Sequence, residues 1–372
     1  MIRGSVTGTL MSGTFELVAD QNADRLRNAA PSAHGSTRWP AESWPSANPD
    51  ASGIDQEKLA EGVAWITTNA PDVRALLIVL DGALVVEKYF GPATALDAFN
   101  TKSVTKSVVS AAMGVALQQR RFTGLDERLL DVLPERKEQV EDARKKSITL
   151  RHLASMTAGL HWQENGPMTA EWIASADSVG YALGLPMNDE PGRVFHYNTS
   201  LAHLLSAALS RRTGMSTRQY VEKHVLHPIG AKVVRWDRDQ AGSEEGGSEL
   251  YLTARDMARF GYLYLRGGRW NEKQIVSPEW VALSTRAQSR RDPFWADYGF
   301  LWWLEQNDDL QSFAAFGYGG QAIWITPELD LVVVLASTPS NPRNDPRELI
   351  VSYILPAVRG NDRLCPLRAV SR

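Results

Sequence analysis

ALLIVLDGALVVEKYFG, residues 75–91, decides the fold. Two apolar runs rich in β-branched residues flank Asp81-Gly82, and that dipeptide readily supplies the positive-φ pair of a two-residue hairpin turn. Antiparallel strands are therefore expected early in the chain. They return only near its end, in YGFLWWLE (298–305), SFAAFG (312–317), QAIWITP (321–327) and LDLVVVLAS (329–337). The connections between these runs are too short for the crossover that parallel neighbours require, so these strands too should pair antiparallel.

Between the two strand groups the pattern is helical: SVTKSVVSAAMGVALQQRR from 103, SLAHLLSAALSRRTG from 200, STRQYVEKHVL from 216 and TARDMARFGYLYLRGG from 253. The second and fourth of these end on glycine, as helix C-caps often do. IDQEKLAEGVAWITT from 54 places Leu59, Val63, Ala64 and Ile66 on one helical face, and DPRELIVSYILPAV from 345 reads as a closing helix. The economical architecture is an α+β fold. One antiparallel sheet is built from both chain ends and flanked by the terminal helices, with a mainly helical domain inserted. The expected division is an extended segment over 1–53, a sheet domain from 54–100 with 291–372, and a helical domain over 101–290. Trp39 and Trp44 should pin the Pro/Ser/Gly-rich stretch 29–53 to the body.

The 372 residues are 43% hydrophobic and 22% charged, with a formal net charge of −3. That is ordinary globular composition, with no basic field for nucleic acid or an anionic membrane. No run reaches the ~18 apolar residues of a membrane helix, and acidic residues interrupt the N-terminal stretch, so a cytoplasmic location is expected. A single cysteine, Cys365, leaves neither an intrachain disulfide nor a thiolate-rich metal site. His224 and His227 lie three apart without an acidic partner at ligand spacing, which favours surface histidines over a metal site. The cluster Gly317, Gly319, Gly320 is flanked by strands and opens no helix, which argues against a nucleotide loop.

A candidate for the chemistry is Ser103-Val104-Thr105-Lys106, although chance alone would supply about one serine–lysine pair at this spacing, so the position of the tetrapeptide says more than its presence. Ser103 is the one serine with a lysine three residues on, and lysine is scarce here, ten of the forty basic residues. The tetrapeptide opens a strongly apolar helix, which puts both side chains on one face. Burial would disfavour the ammonium and lower the Lys106 pKa toward that of a useful base. The competing reading makes Ser103 a helix N-cap and Lys106 a solvated first-turn residue. A cation in a helix's first turn opposes the macrodipole, which counts against it.

Three further blocks follow in order: ITLRHLASMTAGL (148–160), PGRVFHYNTSLAHLL (191–205) and FAAFGYGGQAIWITPELDLVVV (313–334). With the first, they resemble the serine β-lactamase-like hydrolases: class C β-lactamases, DD-peptidases, carboxylesterases and aminohexanoate-dimer hydrolases. The resemblance covers most of residues 40–360. It implies Ser103 as nucleophile, Lys106 as the lysine of the first motif, and Tyr197 as the proton-moving tyrosine of a Y-x-N motif. It places the third motif at Tyr318-Gly319-Gly320. The oxyanion would be held by the backbone N–H groups of Gln321 and Ser103. The Y-x-N asparagine position holds Thr199, with Asn198 one residue early, and Tyr318 stands where β-lactamases carry a lysine or histidine.

A serine hydroxyl needs a base to become a nucleophile, and unperturbed Tyr and Lys, at about 10 and 10.4, are both poor ones at neutral pH. A cationic lysine favours phenolate and a neutral lysine is itself a base, so either reading stands and the pair titrates as a unit. Without the third-motif cation, which helps hold a β-lactam carboxylate, an ester or linear amide becomes the expected small-molecule substrate. No cofactor is expected, and a homodimer is the one protein assembly entertained. The rivals are a β-lactamase or DD-peptidase, and a catalytically silent ligand-binding member. Trp162, Trp172, Trp302, Trp303 and Trp324 are candidates for an apolar cleft, with two of the five expected to face it. Trp162, Trp302, Asn198 and Thr199 are taken as substrate-facing.

Overall fold

The computed structural model describes residues 38–41, 43–48, 52–289, 297–339 and 345–359. Cys365 lies outside them, as do residues 1–37 of the expected N-terminal segment. The hairpin forms as read, with β1 (Val73–Leu80) and β2 (Ala83–Tyr89) joined across Asp81 and Gly82, at φ 49° and 73°. β3 (Ala98–Asn100), β4 (Arg235–Trp236) and β5 (Leu250–Thr253) make a small separate sheet of order β3-β5-β4. A two-stranded hairpin, β6 (Arg269–Trp270) with β7 (Lys273–Gln274), follows. The late strands are β8 (Trp303–Asn307), β9 (Leu310–Gly317), β10 (Gln321–Thr326) and β11 (Leu331–Ser337). They join the first hairpin in one antiparallel sheet of order β2-β1-β11-β10-β9-β8, so β1 pairs with β11 across most of the chain's length.

Both faces of the sheet are buried at its central strands β1, β11 and β10, which explains their unbroken apolar runs. Leu76, Ile78, Leu80, Leu331, Val333 and Leu335 belong to one core cluster, whereas Leu77, Val79, Val332 and Val334 belong to the other. The first face is covered by α1 (Gln56–Asn69) and the helical run 346–359. The second carries α2 (Val104–Gln118) and, after α3 (Thr199–Thr213) in the chain, α4 (Ala254–Leu265). Trp39 and Trp44 both meet the Tyr262 ring, at 5.5 and 5.8 Å between centroids respectively, and Leu84 N–H donates to Pro45 O.

Three expectations need correction. Ala64 is exposed, and the buried residues of α1 are Leu59, Gly62 and Ile66, because the helix lies so close to Tyr353 that a Cβ at Gly62 would stand 2.9 Å from Tyr353 Cβ. The mainly helical stretch 101–290 also holds, among its described residues, four short strands, β4 to β7, of two to four residues, too brief to show alternation. The run from Tyr298 becomes strand only at Trp303, because Leu301 takes φ +63° in a turn where Gly299 N–H reaches Trp302 O. Ser107 and Ser110 on α2 hold that turn, donating to Leu301 O and Phe300 O at 2.7 Å each.

Arg266, just past α4, reaches Asp330 between β10 and β11 at 2.8 Å, with both side chains about nine-tenths buried. Arg266→Leu should cost about 3–5 kcal/mol, the usual effect of leaving a buried carboxylate without its cation. Urea unfolding measures it, and Asp330→Asn in the same background should recover part of the loss. A cost below 1 kcal/mol would show the pair to be energetically idle.

Candidate active site

The site forms where the N-terminus of α2, the entry to α3, the segment before β5 and the β9–β10 turn meet. Asn100 Oδ1 accepts from Lys102 N–H at 3.0 Å, and Lys102 Nζ reaches Glu249 at 2.6 Å. These bonds hold Lys102 at φ +50°, an uncommon conformation for a side-chain-bearing residue, immediately before Ser103. Ser103 occupies the N-cap position of α2 but makes no capping bond. Its Oγ instead lies 2.7 Å from Lys106 Nζ. The reading of a capping serine beside a solvated lysine therefore fails, because Lys106 is 1% exposed.

Lys106 Nζ has two further partners, Thr199 Oγ1 at 3.0 Å and Gly247 O at 2.8 Å. The third approach needs glycine, since a Cβ at position 247 would stand 2.5 Å from Thr199 Cγ2. Burial lowers the Lys106 pKa to about 8, opposed by the charge of Glu164.

Tyr197 precedes α3. Its ring stacks on Trp303 at 5.3 Å, and Lys106 Nζ lies 5.0 Å from its centroid. Phe195 and Tyr298 complete an aromatic wall around Trp303. Asn198 is a correction: it is 1% exposed and caps α3, with Oδ1 accepting from Ser200 N–H at 2.9 Å and Ser200 Oγ at 2.6 Å. Thr199 is another, because its hydroxyl is buried against Lys106 and Glu164 and does not face a cleft.

The glycine-rich segment sits beside the serine because β9 ends against its approach. A Cβ at Gly317 would lie 2.4 Å from Thr101 O and 3.1 Å from Lys102 Cβ. Gly320 N–H closes the turn on Gly317 O at 3.3 Å, with Gly319 and Gly320 at φ +82° and +93°. Tyr318 at its tip is 39% exposed. The Gln321 side chain is buried and locked to Ser337, donating to its O at 2.7 Å and accepting from its N–H at 3.0 Å, so Gln321 offers the site only backbone.

Trp302 is the third correction. It is fully buried among Phe260, Tyr264 and Phe313 and lines no cleft. Trp172 and Trp324 are buried too, whereas Trp303 and Trp162 are partly exposed beside site residues. His224 turns to Gln119 and the Tyr220 ring. Among the described residues no cluster of three His, Cys, Asp or Glu side chains could hold a metal ion, and no helix is long and apolar enough to cross a membrane.

The residue the sequence did not flag is Glu164. Its Oε2 accepts from Trp162 Nε1 at 2.5 Å and Thr199 N–H at 3.0 Å, and its Oε1 from Thr199 Oγ1 at 2.5 Å. It sits in a loop after Trp162, 35 residues from its partner, where no periodicity marks it.

A buried lysine against a half-buried serine in this α+β frame defines the serine-hydrolase class of the β-lactamase fold. The beta-lactamase family model matches residues 58–353, and the chain belongs to that family. It is 24% identical over 314 residues to the 6-aminohexanoate-dimer hydrolase of Paenarthrobacter ureafaciens, covering 74% of this chain and 78% of that protein. A Bacillus anthracis structure provisionally named as a 6-aminohexanoate-dimer hydrolase superposes with TM-score 0.71 at 22% identity, covering 87% of this chain and 90% of the other. A family VIII carboxylesterase superposes with TM-score 0.64 at 19% identity, covering 84% and 98%.

Proposed function

We propose that the chain cleaves an ester or linear amide through an acyl-enzyme on Ser103. The observation that carries this reading is the buried Lys106 Nζ 2.7 Å from Ser103 Oγ. Ser103 Oγ attacks the substrate carbonyl carbon as its proton passes to the Lys106–Tyr197 assembly. The developing oxyanion is met by the backbone N–H groups of Ser103 and Gln321, each contributing about 3–4 kcal/mol in such sites. Collapse expels the alcohol or amine, which takes the proton back from the same assembly. Water then repeats the sequence on the acyl-serine, releasing the acid. The relatives named above as a 6-aminohexanoate-dimer hydrolase and a family VIII carboxylesterase support this choice of bond.

A β-lactamase or DD-peptidase activity is the alternative, and Tyr318 argues against it. A penicillin carboxylate finds a phenol there instead of a cation, and nearby Lys102 is committed to Glu249. The phenol can still donate a hydrogen bond but supplies no opposite charge, so the loss is at most that of one charge-assisted hydrogen bond, ~1.5–3 kcal/mol or roughly 10–100-fold in affinity. A chromogenic short-chain ester should therefore be turned over with far higher kcat/KM than a penicillin or chromogenic cephalosporin, and Tyr318→Lys should raise β-lactam binding modestly. Efficient penicillin hydrolysis by the unaltered protein would promote the alternative. Absence of turnover on all of these substrates, with no covalent adduct, would favour a silent binding protein.

A further inference from the structure

Lys106 Nζ meets three acceptors, Ser103 Oγ, Thr199 Oγ1 and Gly247 O, so the ammonium form has a place for each proton. When one proton leaves, the lone pair must face one of the three. A carbonyl oxygen only accepts, so Gly247 keeps an N–H. Thr199 is a hydroxyl and could either donate or accept. What decides it is Glu164, whose Oε1 lies 2.5 Å from Thr199 Oγ1. A carboxylate only accepts, so the Thr199 proton points at Glu164 and the oxygen turns a lone pair toward Lys106. Trp162 Nε1 and Thr199 N–H, both obligate donors, converge on Oε2 and fix the carboxylate in that orientation. Ser103 is then the one partner left to face the free lone pair, and it has a proton to give.

We propose that Glu164 is a positioning residue that, acting through the Thr199 hydroxyl, aims the neutral Lys106 lone pair at Ser103. The inference rests on the acyl-enzyme reading above and assigns the proton from Ser103 to Lys106 Nζ: the Oγ–H bond breaks, an Nζ–H bond forms, and the oxygen lone pair attacks the carbonyl carbon. It also gives a physical reason for threonine at the Y-x-N position. An asparagine carbonyl presents an acceptor unaided, whereas a threonine needs a carboxylate behind it. The titratable groups around Lys106 are Glu164 and Tyr197, while Glu249, two residues from Gly247, is turned to Lys102 and Asn100.

The test is the acylation rate with a fluorophosphonate and kcat/KM on one ester, each across pH 5–10, in the full-length protein. Glu164→Gln puts an amide behind Thr199 that can donate, freeing the hydroxyl proton to turn to Lys106 and compete for its lone pair. The plateau rate should fall at least tenfold. Because the Glu164 charge raises the Lys106 pKa, its removal should also move the acid limb to lower pH, which a merely loosened fold would not do. Thr199→Val should lose a similar factor and Thr199→Ser should restore most of it. In the Thr199→Val background Glu164→Gln should add less than threefold to the plateau loss, since its route to Lys106 is already cut. A wild-type protein that acquires no adduct overturns the hydrolase reading itself. A wild type that acylates, with Glu164→Gln within twofold of it at every pH, overturns this inference alone. So does a Glu164→Gln loss that is undiminished in the Thr199→Val background.

Discussion

Ser103→Ala should leave a folded chain that acquires no adduct from a fluorophosphonate and turns over esters about 10⁴–10⁶-fold more slowly. The size of the loss follows from removing the nucleophile while leaving the oxyanion donors and substrate positioning in place. Stability should hardly change. Replacing an N-cap serine ordinarily costs about 1 kcal/mol because a capping bond is lost, but Ser103 makes none. The alanine removes one acceptor from Lys106 and leaves Thr199 and Gly247. Intact-mass analysis should show a single adduct in the wild type and none in the variant, with thermal midpoints within a few degrees. An adduct that persists in Ser103→Ala would move the nucleophile elsewhere and remove the basis of the mechanism.

The sheet was legible because its strands carry their own instructions. Asp81-Gly82 specifies the turn, and the unbroken apolar runs of β1 and β11 reflect burial on both faces. What escaped depends on packing between distant segments. β5 is four residues long, with Leu250 and Leu252 buried and Tyr251 and Thr253 partly exposed, too short a run to stand out from its helical surroundings. Its partner β3 lies about 150 residues earlier, and the pairing carries Glu249 to Asn100 and Lys102. Gly62 lies inward and Ala64 outward because Tyr353 sits against α1, which helical periodicity does not reveal.

Within the site, legibility follows sequence distance. Ser103 and Lys106 share one helix turn, so their contact is local geometry. The Trp302–Trp303 pair shows the opposite case. The strand phase there is set by Leu301 at φ +63°, pinned by Ser107, Ser110's bond to Phe300 and an N–H donated to Ala154. That turn sends Trp302 into the core and lays Trp303 on Tyr197, and nothing in the run FLWWLE distinguishes the two. Glu164 escaped for the same reason as β3, since its meaning lies in Thr199, a residue on another element.

Lys106→Ala and Tyr197→Phe should each lower kcat/KM on an ester by about 10³–10⁴, and the double variant should lose no more than about tenfold beyond the worse single. Groups that pass one proton fail together, so their losses do not add. Lys106→Ala removes the cation beside the Tyr197 ring and the base beside Ser103 in one step. Tyr197→Phe keeps the ring that stacks on Trp303 and removes only the hydroxyl, so the wall should stand while the proton path breaks. Lys106→Arg should not rescue, because a guanidinium stays protonated and cannot accept from Ser103. The same chemistry sets the pH dependence. Burial brings Lys106 to about 8, so acylation in the wild type should rise with pH through that value as the neutral amine becomes available. The measurements are kcat/KM for both single variants and the double across pH 5–10, with circular dichroism to check folding. If Tyr197→Phe keeps near-full activity, Tyr197 serves as wall alone and Lys106 carries the proton by itself. If the losses of the two single variants multiply in the double, lysine and tyrosine act in separate steps, one in acylation and the other in release of the acyl group.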